Sequence, residues 1–176
     1  MLKERLQELL LNIDEEVGLT IGARDPKPAL VIVGGAAFLL RDITVRQATH
    51  DVDVLQADEE LRAILANYPE VNGRVAAFSD QIPYNFEDRL TRLDIGTQAI
   101  DILTPSVEDL VVMKLYAQRP NDLQDIDGAV SSGKLDWRVL EHLVMDDDEA
   151  AASCLSERRY GELVRAYEAL KARWGR

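Results

Sequence analysis

The apolar run Ala29-Leu30-Val31-Ile32-Val33 leads directly into Gly34-Gly35, and further on Asp51-Val52-Asp53-Val54 alternates acids with β-branched residues. These two stretches constrain the chain more than any others. A short β-branched and apolar run reads as a buried strand. Paired glycines at its end let backbone N–H groups approach an anion. Gly35–Leu40 then reads as a helix whose N-terminus faces whatever the glycines hold. Strand residues two apart share a face and lie about 6.6–6.8 Å apart, so Asp51 and Asp53 put two carboxylates on one side, while Val52 and Val54 supply the packed side. Mg²⁺ takes oxygen ligands at about 2.0–2.1 Å. Leaning side chains would therefore meet on one ion, or on a pair roughly 3.5–4 Å apart. A third acid on a neighbouring strand would complete the cluster.

Other residues fall around this pair. Arg46 either binds a triphosphate and braces the acids, or is a solvated surface arginine. Thr49 either hydrogen-bonds near the turn or merely suits an extended chain. His50 points away from the face carrying Asp51 and is read as structural or exposed. Phe86–Ile95 and Gln98–Leu103 read as two strands joined at Gly96-Thr97. Asp101 in the second and Asp94 in the first compete as the third carboxylate. Ser106-Val107-Glu108-Asp109 carries a capping signature that opens a helix. On it Lys114 borders the apolar face, either as a cation for phosphates or acids, or snorkelling over the core. Asp122 and Asp125 share a face of the next helix, over Asn121–Val130. They either orient Lys114 or Arg46, or are helix-start acids favoured by the dipole. On a helix Asp125 and Asp127 diverge by about 200°, so Asp125-Ile126-Asp127 is discounted as a metal site.

Val33-Gly34-Gly35, the spacer and Asp51-Val52-Asp53 together resemble the signature of the DNA polymerase β-like nucleotidyltransferase superfamily. Arg46-x-x-Thr49-x-Asp51 and Glu108-Asp109-Leu110, Lys114-Leu115, Arg119 and Asp122-Leu123-x-Asp125 narrow the resemblance to its small bacterial, AbiEii-toxin-like branch. The similarity covers roughly residues 29–130. It implies two Mg²⁺ ions held by Asp51, Asp53 and Asp101, with Asp101 preferred to Asp94 because it directly precedes the helix carrying Lys114. It implies an NTP cradled by Gly34 and Gly35, with Arg46, Thr49 and Lys114 around the nucleotide and Asp122 and Asp125 behind them. The acceptor it implies is tRNA or other RNA, a protein or a small molecule, within a toxin–antitoxin pair. The alternative is a catalytically degenerate nucleotide- or partner-binding relative.

The expected fold is α+β, a small mixed or antiparallel sheet flanked by helices, with a C-terminal helical cluster. Residues 1–130 are expected to form the nucleotidyltransferase-like domain and 131–176 a helical extension packed on it. An amphipathic first helix starts at Leu2, Asp58 caps a helix over Glu59–Asn67, Arg74–Phe78 is a weak strand, and further helices begin after Asp136 and at Arg158. The formal charge of −12 over 176 residues argues against a broad basic surface tracking nucleic acid. It leaves room for a local basic groove. A single cysteine, Cys154, excludes an intramolecular disulfide and a cysteine-rich zinc site. The acidic run Asp146–Glu149 reads as a solvated helix entry. No signal peptide or membrane span is apparent, so the expected location is the cytoplasm. The first and last helices are candidate surfaces for a homodimer or an antitoxin partner.

Overall fold

In the computed structural model, residues 1–22, 24–74, 81–145 and 156–176 are described. The chain forms two compact units. The first comprises residues 1–42, 46–76 and 90–105, and the second residues 43–45, 77–89 and 106–176.

The first unit is built on β1 (Ala29–Val33), whose residues after Ala29 are all buried. Its neighbours are β2 (Val52–Ala57), antiparallel, and β5 (Asp101–Thr104), parallel. The two-residue strands β3 (Val71–Asn72) and β4 (Thr91–Arg92) form the edges, giving the mixed five-stranded order β3-β2-β1-β5-β4. The β1–β2 register shifts between Val31 and Ile32, an irregularity that bends the ladder and re-aims side chains. Helices α1 (Lys3–Thr20), α2 (Gly34–Leu40) and α3 (Glu59–Leu65) complete the unit. The α1 stripe Leu6, Leu10, Ile13 and Val17 is fully buried, as are Leu30 and Ile32 of β1 and Phe38 of α2. At roughly 1.5–3 kcal/mol per fully buried large apolar side chain, this layer is the main stabilising element of the sheet.

One expectation needs correcting here. The sequence reads as two long strands meeting at Gly96-Thr97, but only β4 and β5 form, with Thr91 opposite Thr104. Residues 86–89 make a 3₁₀ turn instead of a strand. At residues 98–100 the cause is Asp14, a buried acid on α1. Its Oδ2 accepts from Gln98 N–H at 2.9 Å, and its Oδ1 from Ala99 and Ile100 N–H at 2.7 and 2.9 Å. These three donors are used by a side chain and cannot feed a strand ladder. Asp58 also departs from its expected role. It makes no side-chain cap on α3; its Oδ2 accepts from Ala29 N–H at 2.9 Å, tying the end of β2 to the start of β1.

The second unit centres on α4 (Val107–Ala117), which packs against α5 (Pro120–Ser131), α6 (Trp137–Met145) and α7 (Glu157–Trp174). The expected capping signature forms: Ser106 Oγ accepts from Asp109 N–H at 3.1 Å, and Asp109 Oδ2 accepts from Ser106 N–H at 3.3 Å. Arg89 clamps Asp109 from the 3₁₀ turn, with Nη2 at 2.9 Å. Asp136 opens α6 by accepting from Arg138 N–H at 2.8 Å. Leu110, Val111, Leu115, Ile126, Leu140, Leu143, Leu163 and Tyr167 make the core. Helices α4 and α5, expected with residues 1–130, thus lie in the same unit as α6 and α7. Most of the weak strand expected at Arg74–Phe78, the Asp146–Glu149 run and Cys154 fall outside the described residues. No helix among the described residues is long and apolar enough to cross a membrane.

Asp14→Ala should remove the acceptor of three N–H groups at once, two of them in buried bonds, and cost roughly 2–6 kcal/mol of unfolding free energy, since each stranded buried donor costs about 1–3 kcal/mol. Urea denaturation of the variant beside the wild type measures it, and equal midpoints would contradict the assignment.

Candidate active site

Val33 ends β1 in an extended conformation, and Gly34 then turns the chain into α2 with φ +64°. That left-handed angle costs an L side chain about 1–2 kcal/mol. Space excludes one as well. A Cβ on Gly34 would overlap Asp53 Oδ2 and come within 3.1 Å of its Cγ. Val33 pairs with Asp53 across the β1–β2 ladder, so the Asp53 carboxylate lies against the glycine turn. Gly35 is enclosed similarly: its missing Cβ would stand 2.9 Å from Thr49 Oγ1 and 3.3 Å from Arg46 Nη1. Gly34, Gly35, Arg46, Thr49 and Asp53, separate in sequence, therefore converge on one turn.

The loop bearing Arg46 and Thr49 is fixed by backbone. Ala48 bridges to Leu2, and Thr49 N–H donates to Met1 O at 2.9 Å. Arg46 Nη2 donates to Ala48 O at 3.1 Å, and buried Thr49 donates through Oγ1 to Asp51 O at 3.2 Å. Arg46 is thus partly buried over the turn and is not a fully solvated surface residue. Asp51 is half-buried and immediately precedes β2; His50 is exposed. Asp53 Oδ1 accepts from Asn72 Nδ2 at 2.9 Å. A cleft of about 810 Å³ along β1, β2 and α3 is lined by Val31, Val54, Leu65, Val71 and Gly73, with Arg62 among its polar residues. That volume is within the usual range for small-molecule sites.

Asp101, expected as the third carboxylate, is not placed beside Asp53. Because β5 runs parallel to β1, Asp101 pairs with Ala29, whereas Asp53 pairs with Val33. Four strand residues, roughly 13 Å at about 3.3 Å per residue, separate the two positions along β1. Asp101 lies 3.0 Å from Arg92 Nη2, so an ion pair accounts for an acid on this strand. Exposed Asp94 lies towards the same end, since Leu93 N–H donates to Ile102 O at 2.8 Å. Among the described residues no group of three or more His, Cys, Asp or Glu is placed to hold a metal. The two acids of the Asp-x-Asp strand nonetheless offer carboxylate oxygens, the ligand chemistry of a hard cation, and the Asp53 carboxylate lies against the Gly34 turn.

In the second unit Lys114 Nζ reaches both second-helix acids, Asp122 Oδ1 at 2.6 Å and Asp125 Oδ2 at 3.1 Å. All three are buried. Asp122 Oδ2 also accepts from Arg119 Nε at 2.8 Å and from its N–H at 3.1 Å, while Asp125 Oδ1 accepts from Thr44 Oγ1 at 2.6 Å. Burial alone would push the Asp122 carboxyl up, but the bonds from Lys114 and Arg119 outweigh it and hold the group below its ordinary range. Sequence reasoning did not find Asn72 or Asp14. Asn72 sits in a two-residue strand too short to show alternation, and nothing marks Asp14 on α1 as turned inward.

The sequence profile of a family described as "Nucleotidyltransferase of unknown function (DUF6036)" matches residues 8–175. Neither the curated proteins nor the solved structures give a match.

Gly34→Ala should lose at least about 1–2 kcal/mol of stability from the left-handed backbone alone and displace the Asp53 carboxylate. Thermal melts with a divalent-ion titration would register both, and a variant unchanged in both would refute the close approach. Asp122 gives a pH signature. Its pKa is lower folded than unfolded, so its contribution is complete above the unfolded value near pH ~3.9 and is lost as pH falls through the folded one. Asp122→Asn should therefore be less stable than wild type at neutral pH, with the gap closing below about pH 4. Urea midpoints measured from pH 7 to pH 3 test this; a gap constant with pH would rule it out.

Proposed function

The chain belongs to the nucleotidyltransferase family just described, and from that premise we propose that it transfers a nucleoside monophosphate from an NTP to an acceptor hydroxyl, using Mg²⁺ at Asp51 and Asp53. The observation that carries this reading is the packing of the Asp53 carboxylate against the Gly34 turn, with Thr49 and Arg46 over Gly35. The turn carries backbone N–H groups of the kind that suit an anion. Arg46 supplies a guanidinium suited to phosphate oxygens, and Thr49 holds the loop through Asp51 O.

Asp51 and Asp53 would hold the metal, which when bound neutralises charge on the phosphates and favours an ionised acceptor. Arg46 and the turn orient the triphosphate so that the acceptor oxygen faces the α-phosphorus. In the transfer a new O–P bond forms to the acceptor, the bond from the α-phosphorus to the bridging oxygen breaks, and pyrophosphate leaves. The hydroxyl proton passes to water. Lys114 of the second unit is held by Asp122 and Asp125. The motif resembles that of the AbiEii-toxin-like branch. For toxins of that branch the resemblance implies transfer to tRNA or to a partner protein, and the formal charge of −12 favours the protein. A second reading, a nucleotide- or partner-binding relative without turnover, is favoured by the position of Asp101 beside Arg92.

Calorimetric titration of ATP, CTP, GTP and UTP with Mg²⁺ tests the proposal. Micromolar affinity is expected for at least one, lost in Asp51→Ala/Asp53→Ala. Absence of binding to all four would defeat the nucleotide site. Binding without pyrophosphate release in any acceptor screen would select the second reading.

A further inference from the structure

Asp53 is held from one side by a residue outside the family motif. Strand β3 runs parallel to β2, with Asn72 opposite Asp53. Asn72 Nδ2 donates to Asp53 Oδ1 at 2.9 Å, and Asn72 Oδ1 accepts from Arg74 N–H at 3.1 Å. The second bond decides the first. A backbone N–H only donates, so it fixes which end of the amide is oxygen, and the nitrogen end must face the carboxylate. With Oδ1 engaged, Asp53 turns Oδ2 to the Gly34 backbone, where a Cβ would overlap it.

We infer that Asn72 is the positioning residue of Asp53 and fills, with a neutral amide, the place on the neighbouring strand where a third carboxylate would join the divalent-cation site. The inference rests on the metal-dependent reading of Asp51 and Asp53. The amide locks the rotation of the Asp53 carboxylate, and it leaves the site one negative charge short of a three-acid cluster. Partners that orient a metal ligand typically govern 10–100-fold in affinity. A carboxylate in place of the amide would instead add a ligand oxygen beside Asp53, repelling it without metal and sharing the ion with it when metal is bound.

The test is a Mn²⁺ titration of the full chain, with free Mn²⁺ read from its paramagnetic resonance signal and folding checked by thermal melts. Wild type should bind Mn²⁺ and Asp51→Ala/Asp53→Ala should not. Asn72→Ala should weaken binding about tenfold and Asn72→Asp should tighten it about tenfold. A purely structural role would move both variants the same way. Arg74→Pro, which removes the N–H that orients the amide, should weaken binding severalfold and supplies a readout with residue 72 intact. If wild type binds Mn²⁺ through Asp51 and Asp53 but both Asn72 variants match it or both weaken, or Arg74→Pro binds as wild type does, the role of Asn72 is overturned and the metal reading stands. If wild type binds no Mn²⁺, or binds it equally in the double variant, the metal reading itself falls.

Discussion

The close approach of the Asp53 carboxylate to the Gly34 backbone is the constraint on which the first unit depends. It requires β1 to end where β2 begins, a glycine at the junction, and α2 to start without a side chain in the way. Each requirement is a backbone requirement. Such a site is more precise when carried by paired strands than by a loop, because the ladder fixes both partners. The Arg46–Thr49 loop is the less regular component, and its bridge to Leu2 gives it ladder-like anchoring of its own.

The second unit solves a different problem, that of burying charge. Lys114, Asp122 and Asp125 are removed from water between α4 and α5. Desolvation of such groups is costly unless geometry and further hydrogen bonds compensate. Here they do, since Arg119 and Thr44 satisfy the acids' remaining oxygens. A hydrophobic cluster of similar volume would give comparable stability.

Much of this was legible in the sequence because it follows from local rules. The glycines after an apolar run, the alternating acids, and the Ser106–Asp109 cap are patterns within a few residues, and the elements formed where those patterns fall. Helical spacing put Asp122 and Asp125 on one face and left open whether they meet Lys114, Arg46 or neither. What was not legible depended on pairing at a distance. The placement of Asp101 turns on whether β5 aligns with the start or the end of β1, a register that no local pattern fixes. The missing strand at residues 98–100 depends on Asp14, more than eighty residues earlier. Asn72 was invisible for a similar reason: its partner is set by an edge strand of two residues, which adds no periodic signal.

The Asp14 clasp also bears on the order in which the chain can fold. It closes a loop spanning positions 14 to 98–100, and β5 follows directly in sequence as the parallel neighbour of β1. Contacts of such separation form late, because loop entropy must be overcome before they contribute any stability. The antiparallel pair β1–β2, with its short connection and its glycine turn, can form first. The proposed metal-binding edge of the sheet is thus local in the chain, and the opposite edge is completed only when the first helix presents its one inward acid.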